Sequence, residues 1–166
     1  MNMHLAINQK ELLIAKKAAK TAGDFLIKNK FTLNQTLSSN NKDIKLQADI
    51  SAESLIINII SNESNIPILA EESGISSDNL SDTFWIVDPL DGTANYSRDI
   101  PVCCVSIALI SNLKPILGVI YDFNNNDLYE GSVNTKALLN NNEISVSNVD
   151  QSNKGVLITG LPNKTD

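Results

Sequence analysis

The hydrophobic pattern changes its period once, near residue 66, and that change limits the folds open to the chain. Before it, apolar residues recur at helical spacing. Leu12, Ala15, Ala19, Ala22 and Leu26 mark a helix expected over residues 8–30, and its alanines let a neighbouring helix approach closely. Residues 36–45 are polar and read as a loop or weak hairpin. Leu55, Ile56, Ile59 and Ile60 form the apolar face of a second helix, expected over residues 49–65, with Asp49 as its N-cap and Glu53 in its first turn.

Beyond residue 66 the apolar runs become short and turn-bounded. Strands are expected over residues 67–70, 84–87, 102–110, 116–121, 127–133 and 155–159. A Ser/Asp-rich loop, Asn-Leu-Lys-Pro and two asparagine runs separate them, and the asparagines read as turn formers. Helices first and strands afterwards imply an α+β fold, with two N-terminal helices packed on a largely antiparallel sheet. No repeat or linker interrupts residues 1–166, which read as a single domain.

Composition narrows the function classes. No apolar run approaches the roughly 20 residues of a membrane-spanning helix. Met1 to Lys10 lacks a basic stretch followed by a long apolar core, so no secretory signal is expected. Cys103 and Cys104 are adjacent and read as reduced core-strand residues without a catalytic role, consistent with the cytoplasm. The lone histidine, His4, is expected to be exposed. Net charge is −6 and Arg98 is the only arginine, so no basic stripe exists for nucleic acid. A small anionic substrate would need a bound cation to offset this acidic field. Arg98 itself suits either an anion contact or the plain surface.

One stretch concentrates the chemistry: Trp85-Ile-Val-Asp-Pro-Leu-Asp-Gly-Thr-Ala-Asn95. Pro89 donates no hydrogen bond and biases Asp88 towards extended backbone, so the strand is expected to stop there. Asp91-Gly92 favours a tight reversal that can bring both carboxylates to one side. Asp88, Asp91 and the Leu90 carbonyl are oxygen donors of the kind Mg²⁺ takes. The N–H groups of Gly92 and Thr93, at the start of a short helix, suit an anion. Asp-Pro and Asp-Gly are also common in ordinary turns. Glu71 and Glu72 close a short apolar strand, where solvated loop residues are equally at home, and Asp49 could be an N-cap and nothing more.

"LQADISAE", "AEESG", "WIVDPLDGTANY" and "IPVCCVSIAL", in that order, resemble the inositol monophosphatase family of metal-dependent phosphatases, from the first helix to about Gly160. The resemblance implies hydrolysis of a small phosphate monoester by metal-activated water, with Mg²⁺ as cofactor. It implies that Glu71, Asp88, the Leu90 carbonyl and Asp91 bind metal. Asp49 and Thr93 would orient and deprotonate the attacking water, the Gly92 and Thr93 amides would hold the phosphate, and Glu72 would support the site. Asp43 would be a loop residue nearby. Bisphosphate nucleotidase, histidinol-phosphate and sugar-bisphosphate phosphatases are alternative branches. Family chains continue beyond this one with a further sheet, substrate contacts and a Trp-Asp element whose aspartate completes the second metal site. Nothing here matches that element: the one tryptophan is Trp85. The chain is thus expected to be the N-terminal, metal-site portion, associating with a second copy or a partner chain. The other reading is a non-catalytic remnant that binds only metal or a partner.

Overall fold

The computed structural model describes residues 3–33, 36–39, 44–76 and 81–156. Helix α1 (Met3–Lys28) and the single turn α2 (Lys30–Leu33) come first. The hairpin β1 (Thr36–Ser39) and β2 (Ile44–Leu46) leads into α3 (Gln47–Glu63). Then follow β3 (Ile68–Ala70), β4 (Gly74–Ile75), β5 (Thr83–Asp91) and the short α4 (Thr93–Ser97). Strands β6 (Cys104–Ser111), β7 (Lys114–Asp122), β8 (Asp127–Ser132), β9 (Thr135–Leu139) and β10 (Asn142–Glu143) complete the sheet. Its order is β10-β9-β8-β7-β6-β5-β3-β4, antiparallel throughout except where β3 runs parallel to β5. The α+β arrangement of helices on a largely antiparallel sheet is the one the period change implied.

One face of the sheet is covered and the other is open. Trp85 and Val87 of β5, Val105, Ile107 and Leu109 of β6, and Leu117, Val119 and Tyr121 of β7 are buried beneath α1 and α3. The expected apolar positions Ala15, Ala19, Ala22 and Leu26 of α1 are all inside. Their small size lets α1 lie close to α3 and the sheet. Gly23 shows how close: a Cβ there would stand 2.5 Å from the Tyr121 ring. On the other face the cross-strand row Asp88–Ser106–Ile120–Tyr129 faces outward, with Ile86–Ala108–Gly118–Gly131 beside it. Ile86, Ile120 and Tyr129 keep 39%, 45% and 38% of their surface exposed. Among the described residues no helix packs on that side.

The asparagine turns are built as hairpins. Asn112-Leu113 and Asn140-Asn141 carry positive φ at both central positions (50° and 60°; 49° and 67°), the geometry of type I′ turns that matches strand twist. Asparagine tolerates that region through its short polar side chain, which explains its frequency here.

Several boundaries differ from the sequence reading. Helix α1 begins at Met3 rather than residue 8, and α3 covers Gln47–Glu63, two residues earlier at each end than expected. Asp49 is therefore not the N-cap. Leu46 occupies that position and donates its N–H to Asp49 Oδ2 at 2.8 Å, so Asp49 serves from the third helical position. Glu53 falls in the second turn. The strands β9 and β4 have no counterpart in the expectation, because Thr135–Leu139 follows a turn without strict alternation and Gly74–Ile75 is too short to show a period. Pro89 does not stop β5, which runs on to Asp91. Residues 155 and 156 are not in a strand; the remainder of that expected strand, Asp43 and the His4 side chain lie outside the described residues. No helix among the described residues is long and apolar enough to cross a membrane.

Candidate functional site

The site forms where β3 and β5 end side by side. Parallel pairing sets Ala70 beside Val87, and the Glu71 N–H donates to the Val87 carbonyl at 3.1 Å. Glu71 and Asp88 thus leave adjacent strands at the same level. Beyond Asp88 the ladder with β6 skips: Asp88 pairs with Ser106, and Asp91 with Cys104. Three steps on β5 oppose two on β6, so one extra residue is accommodated at Pro89-Leu90. Proline has no N–H to give, and a bulge is where a strand tolerates it. The strand expected to end at Pro89 instead continues to Asp91 through this bulge. The consequence is chemical. Residues three apart in a regular strand face opposite sides; the bulge turns Asp91 back towards Asp88, whose carboxyl is pushed up in pKa partly by Asp91.

Gly92 then reverses the chain at φ 91°, in the left-handed region. A Cβ here would also meet the Val102 carbonyl at 2.7 Å. That carbonyl accepts a hydrogen bond from Asn95 Nδ2 at 2.7 Å, clasping α4 to the segment before β6. Tyr96 anchors α4 from beneath through its hydroxyl to the Leu26 carbonyl, 2.8 Å away. The first-turn N–H groups of α4, from Gly92 to Ala94, have no partner within the helix, as at any helix start. Arg98 donates to the Ala94 carbonyl at 2.9 Å, which places it at the structural end of α4.

Asp49 reaches this loop from α3. Its Oδ1 accepts the Thr93 hydroxyl at 2.8 Å while Oδ2 holds the Leu46 N–H, so both oxygens are engaged and the side chain is 1% exposed. Thr93 Oγ1 also lies 3.0 Å from the Leu90 carbonyl. The hydroxyl has one proton for two acceptors, and the carbonyl keeps a lone pair for another contact.

The electrostatics are one-sided. Glu71 is raised from 4.5 to about 7, first by partial loss of water at its carboxyl, then by Asp88, Glu72 and Asp49. The residue is exposed as a whole; the carboxyl end is what the neighbouring acids crowd. Every cause of this shift raises it, and no cation is among them. Asp88 and Asp49 are also raised, each chiefly by burial. The mutual influence of Glu71 and Asp88 raises the first carboxyl and lowers the second. Among the described residues, no three acid, histidine or cysteine side chains stand in a closed ligating cluster. What exists is a set of hard oxygen donors, Glu71, Asp88, Asp91 and the Leu90 carbonyl, with surplus negative charge. Their chemistry, oxygen and negative charge, is of the kind a hard divalent cation takes, although the carboxylates do not close around one point.

Cys103 is buried and accepts from Asn124 Nδ2 at 3.3 Å; Cys104 is half-buried, with its thiol 3.9 Å from Asp91 Oδ2. Burial and the nearby acids push the Cys104 thiol up to about 12, far from a nucleophile's range. The sequence reading gave no role at the site to one buried acid beside it: Glu53, 3% exposed, whose Oε2 accepts the Glu72 N–H at 2.7 Å. Its signal was a charged residue between Ala52 and Ile56 on the apolar face of α3.

The family profile for the inositol monophosphatase family matches residues 8–166. The chain belongs to this family. It is 36% identical over 151 residues to the Nus factor SuhB of Xylella fastidiosa, covering 89% of this chain and 54% of that protein. An inositol-1-monophosphatase from Synechocystis is 38% identical over 120 residues, covering 72% and 42%. The solved inositol monophosphatase of Anabaena superposes with a TM-score of 0.74 at 35% identity, over 86% of this chain and 52% of that one. The chain thus spans about half the length of the relatives it matches.

Proposed function

We propose that this chain carries the cation- and phosphate-binding part of a Mg²⁺-dependent hydrolase of small phosphate monoesters, of the inositol monophosphatase type. The observation that carries the proposal is the acidic crowding at Glu71, whose carboxyl is raised by burial and then by Asp88, Glu72 and Asp49. Glu71, Asp88, Asp91 and the Leu90 carbonyl would hold Mg²⁺. When bound, it supplies charge neutralisation at the phosphoryl oxygens and water acidified towards a nucleophile. The protein's own groups do the rest. The Gly92 and Thr93 amides bind and orient the phosphate at the start of α4. Thr93 positions the attacking water and passes a proton towards Asp49, whose raised pKa suits it to receive one. Glu72 supports the loop that carries Glu71.

A second reading has one observation in its favour. The open sheet face, with Ile86, Ile120 and Tyr129 exposed, fits a second copy or a partner protein, and several relatives bear the name Nus factor SuhB. In that reading the chain binds metal or a partner without turnover. The two separate in one experiment. Phosphate release from inositol 1-phosphate, histidinol phosphate, a sugar bisphosphate and adenosine 3′,5′-bisphosphate is followed with and without Mg²⁺, beside calorimetry of Mg²⁺ binding. Mg²⁺-dependent release that Asp88→Asn abolishes supports the hydrolase. Binding without release from any of the four supports the non-catalytic reading. Absence of both sinks the proposed site.

A further inference from the structure

Helix α3 presents two acidic side chains to the interior, one turn apart. Asp49 and Glu53 are 1% and 3% exposed, among Ala48, Ala52, Ile56 and Ile60. Local physics argues against this arrangement. Like charges at i and i+4 weaken a helix, and withdrawing a carboxyl from water costs more unless it is hydrogen-bonded. Two apolar residues would stabilise the helix better. Both acids nevertheless have partners outside α3, and the partners are the two loops that make the site. Asp49 takes the Thr93 hydroxyl at 2.8 Å, in the loop after β5. Glu53 takes the Glu72 N–H at 2.7 Å, in the turn after β3 that carries Glu71.

We infer that Glu53 is a positioning residue for Glu71, holding the Glu71–Glu72 turn at a fixed height against the Asp88–Thr93 loop, with α3 as the common support. The geometry of the turn makes such a hold necessary. Its entry is fixed by the Glu71 N–H on Val87, and its far end by Ser76, whose N–H and hydroxyl both engage Ile68 at 2.8 Å. Between those anchors the chain passes through Gly74 at φ 79°, with nothing within 4 Å of where its Cβ would be. The Glu53 contact ties this turn to the helix layer below. Asp49 and Glu53 therefore act as two fixed points, one per loop, and the 1.5 Å rise per residue sets their spacing at about 6 Å along the helix axis.

The test compares Glu53→Leu, which keeps apolar bulk but removes the acceptor, with Glu53→Gln, which keeps a carbonyl acceptor. Amide hydrogen exchange at Glu72, read by NMR without metal, should accelerate about tenfold in the leucine variant and stay near wild type in the glutamine variant. Mg²⁺ affinity by calorimetry, the arm that rests on the proposed function, should fall about tenfold in the first and less than about twofold in the second. Wild-type protection at Glu72 in the leucine variant overturns the inference, as does a glutamine variant as impaired as the leucine one. If the wild-type chain takes up no Mg²⁺, the proposed function fails while the exchange arm still decides the positioning role. Should the leucine variant not fold, Glu53→Asp withdraws the carboxyl by one methylene and reads the same exchange.

Discussion

The helix-covered face of the sheet and its acidic end obey opposite rules. Beneath α1 and α3, apolar side chains of β5 to β7 fill the space, and the buried acid of β8 on that face, Glu130, is paired with Lys16. At the ends of β3 and β5, Glu71, Asp88 and Asp91 gather with Glu72 and Asp49 nearby, and the Glu71 and Asp88 carboxyls are raised first by burial and further by neighbouring acids. The first region stabilises the chain. The second is tolerated because the first is strong enough to hold it, which is the usual relation between a scaffold and a site that binds charge. The strain is electrostatic, and under the proposed function a bound cation would relieve it.

That contrast can be broken by substitution. Ile107→Ala, at the centre of the covered face, should cost about 2–5 kcal/mol in denaturant unfolding, a large part of a typical 5–15 kcal/mol total. At the acidic end the order should reverse. Asp88→Asn removes a repelling charge, so the metal-free melting midpoint should stay or rise, while calorimetric Mg²⁺ affinity falls by about 100-fold or more, beyond the usual effect of a residue behind the ligands. A drop in both stability and affinity would mean that Asp88 belongs to the scaffold.

Asp49→Asn sharpens the division of roles. Both Asp49 oxygens are already occupied by Leu46 and Thr93, so Mg²⁺ affinity should change less than about twofold, while any hydrolysis slows by roughly 10²-fold or more through the lost proton acceptor. Equal losses of affinity in the Asp49 and Asp88 variants would show that both act as ligands.

Smaller effects should follow pH. Glu71 has its native pKa raised from 4.5 to about 7, so between those values the folded metal-free chain keeps a proton that the unfolded chain has released. Stability should therefore decline as pH rises from about 4.5 through 7, and level off above. Saturating Mg²⁺ should flatten the slope, because the cation replaces the proton. A metal-free stability that climbs through this window would contradict the crowding. Smallest of all, Ile120→Ala on the open face should change stability by under about 1 kcal/mol, since the side chain is already partly in water.

How legible this was in the sequence differed with range. The two helices, the run of strands and the asparagine turns follow from local periodicity and turn chemistry, which neighbours within a few residues decide. The acids Glu71, Asp88, Asp91 and Asp49 could be named because their motif is local and specific. The strand through Pro89 could not be foreseen, because whether a proline ends a strand or sits in a bulge depends on the partner strand's register. Glu53 was passed over for the same reason: its function is a hydrogen bond to a residue 19 positions away. Asp49 was placed as a cap, when the cap is Leu46 and Asp49 is the link to Thr93, 44 positions on.

By itself, then, the sequence determined which residues carry charge, which segments can be helix or strand, and where the chain can turn, because those are properties of a side chain and its near neighbours. Only the tertiary structure decided that β3 lies parallel to β5, that the bulge aims Asp91 at Asp88, and that α3 touches both loops at once. Each of these joins groups far apart along the chain, and the proximity of such groups is set by packing, which no local pattern encodes.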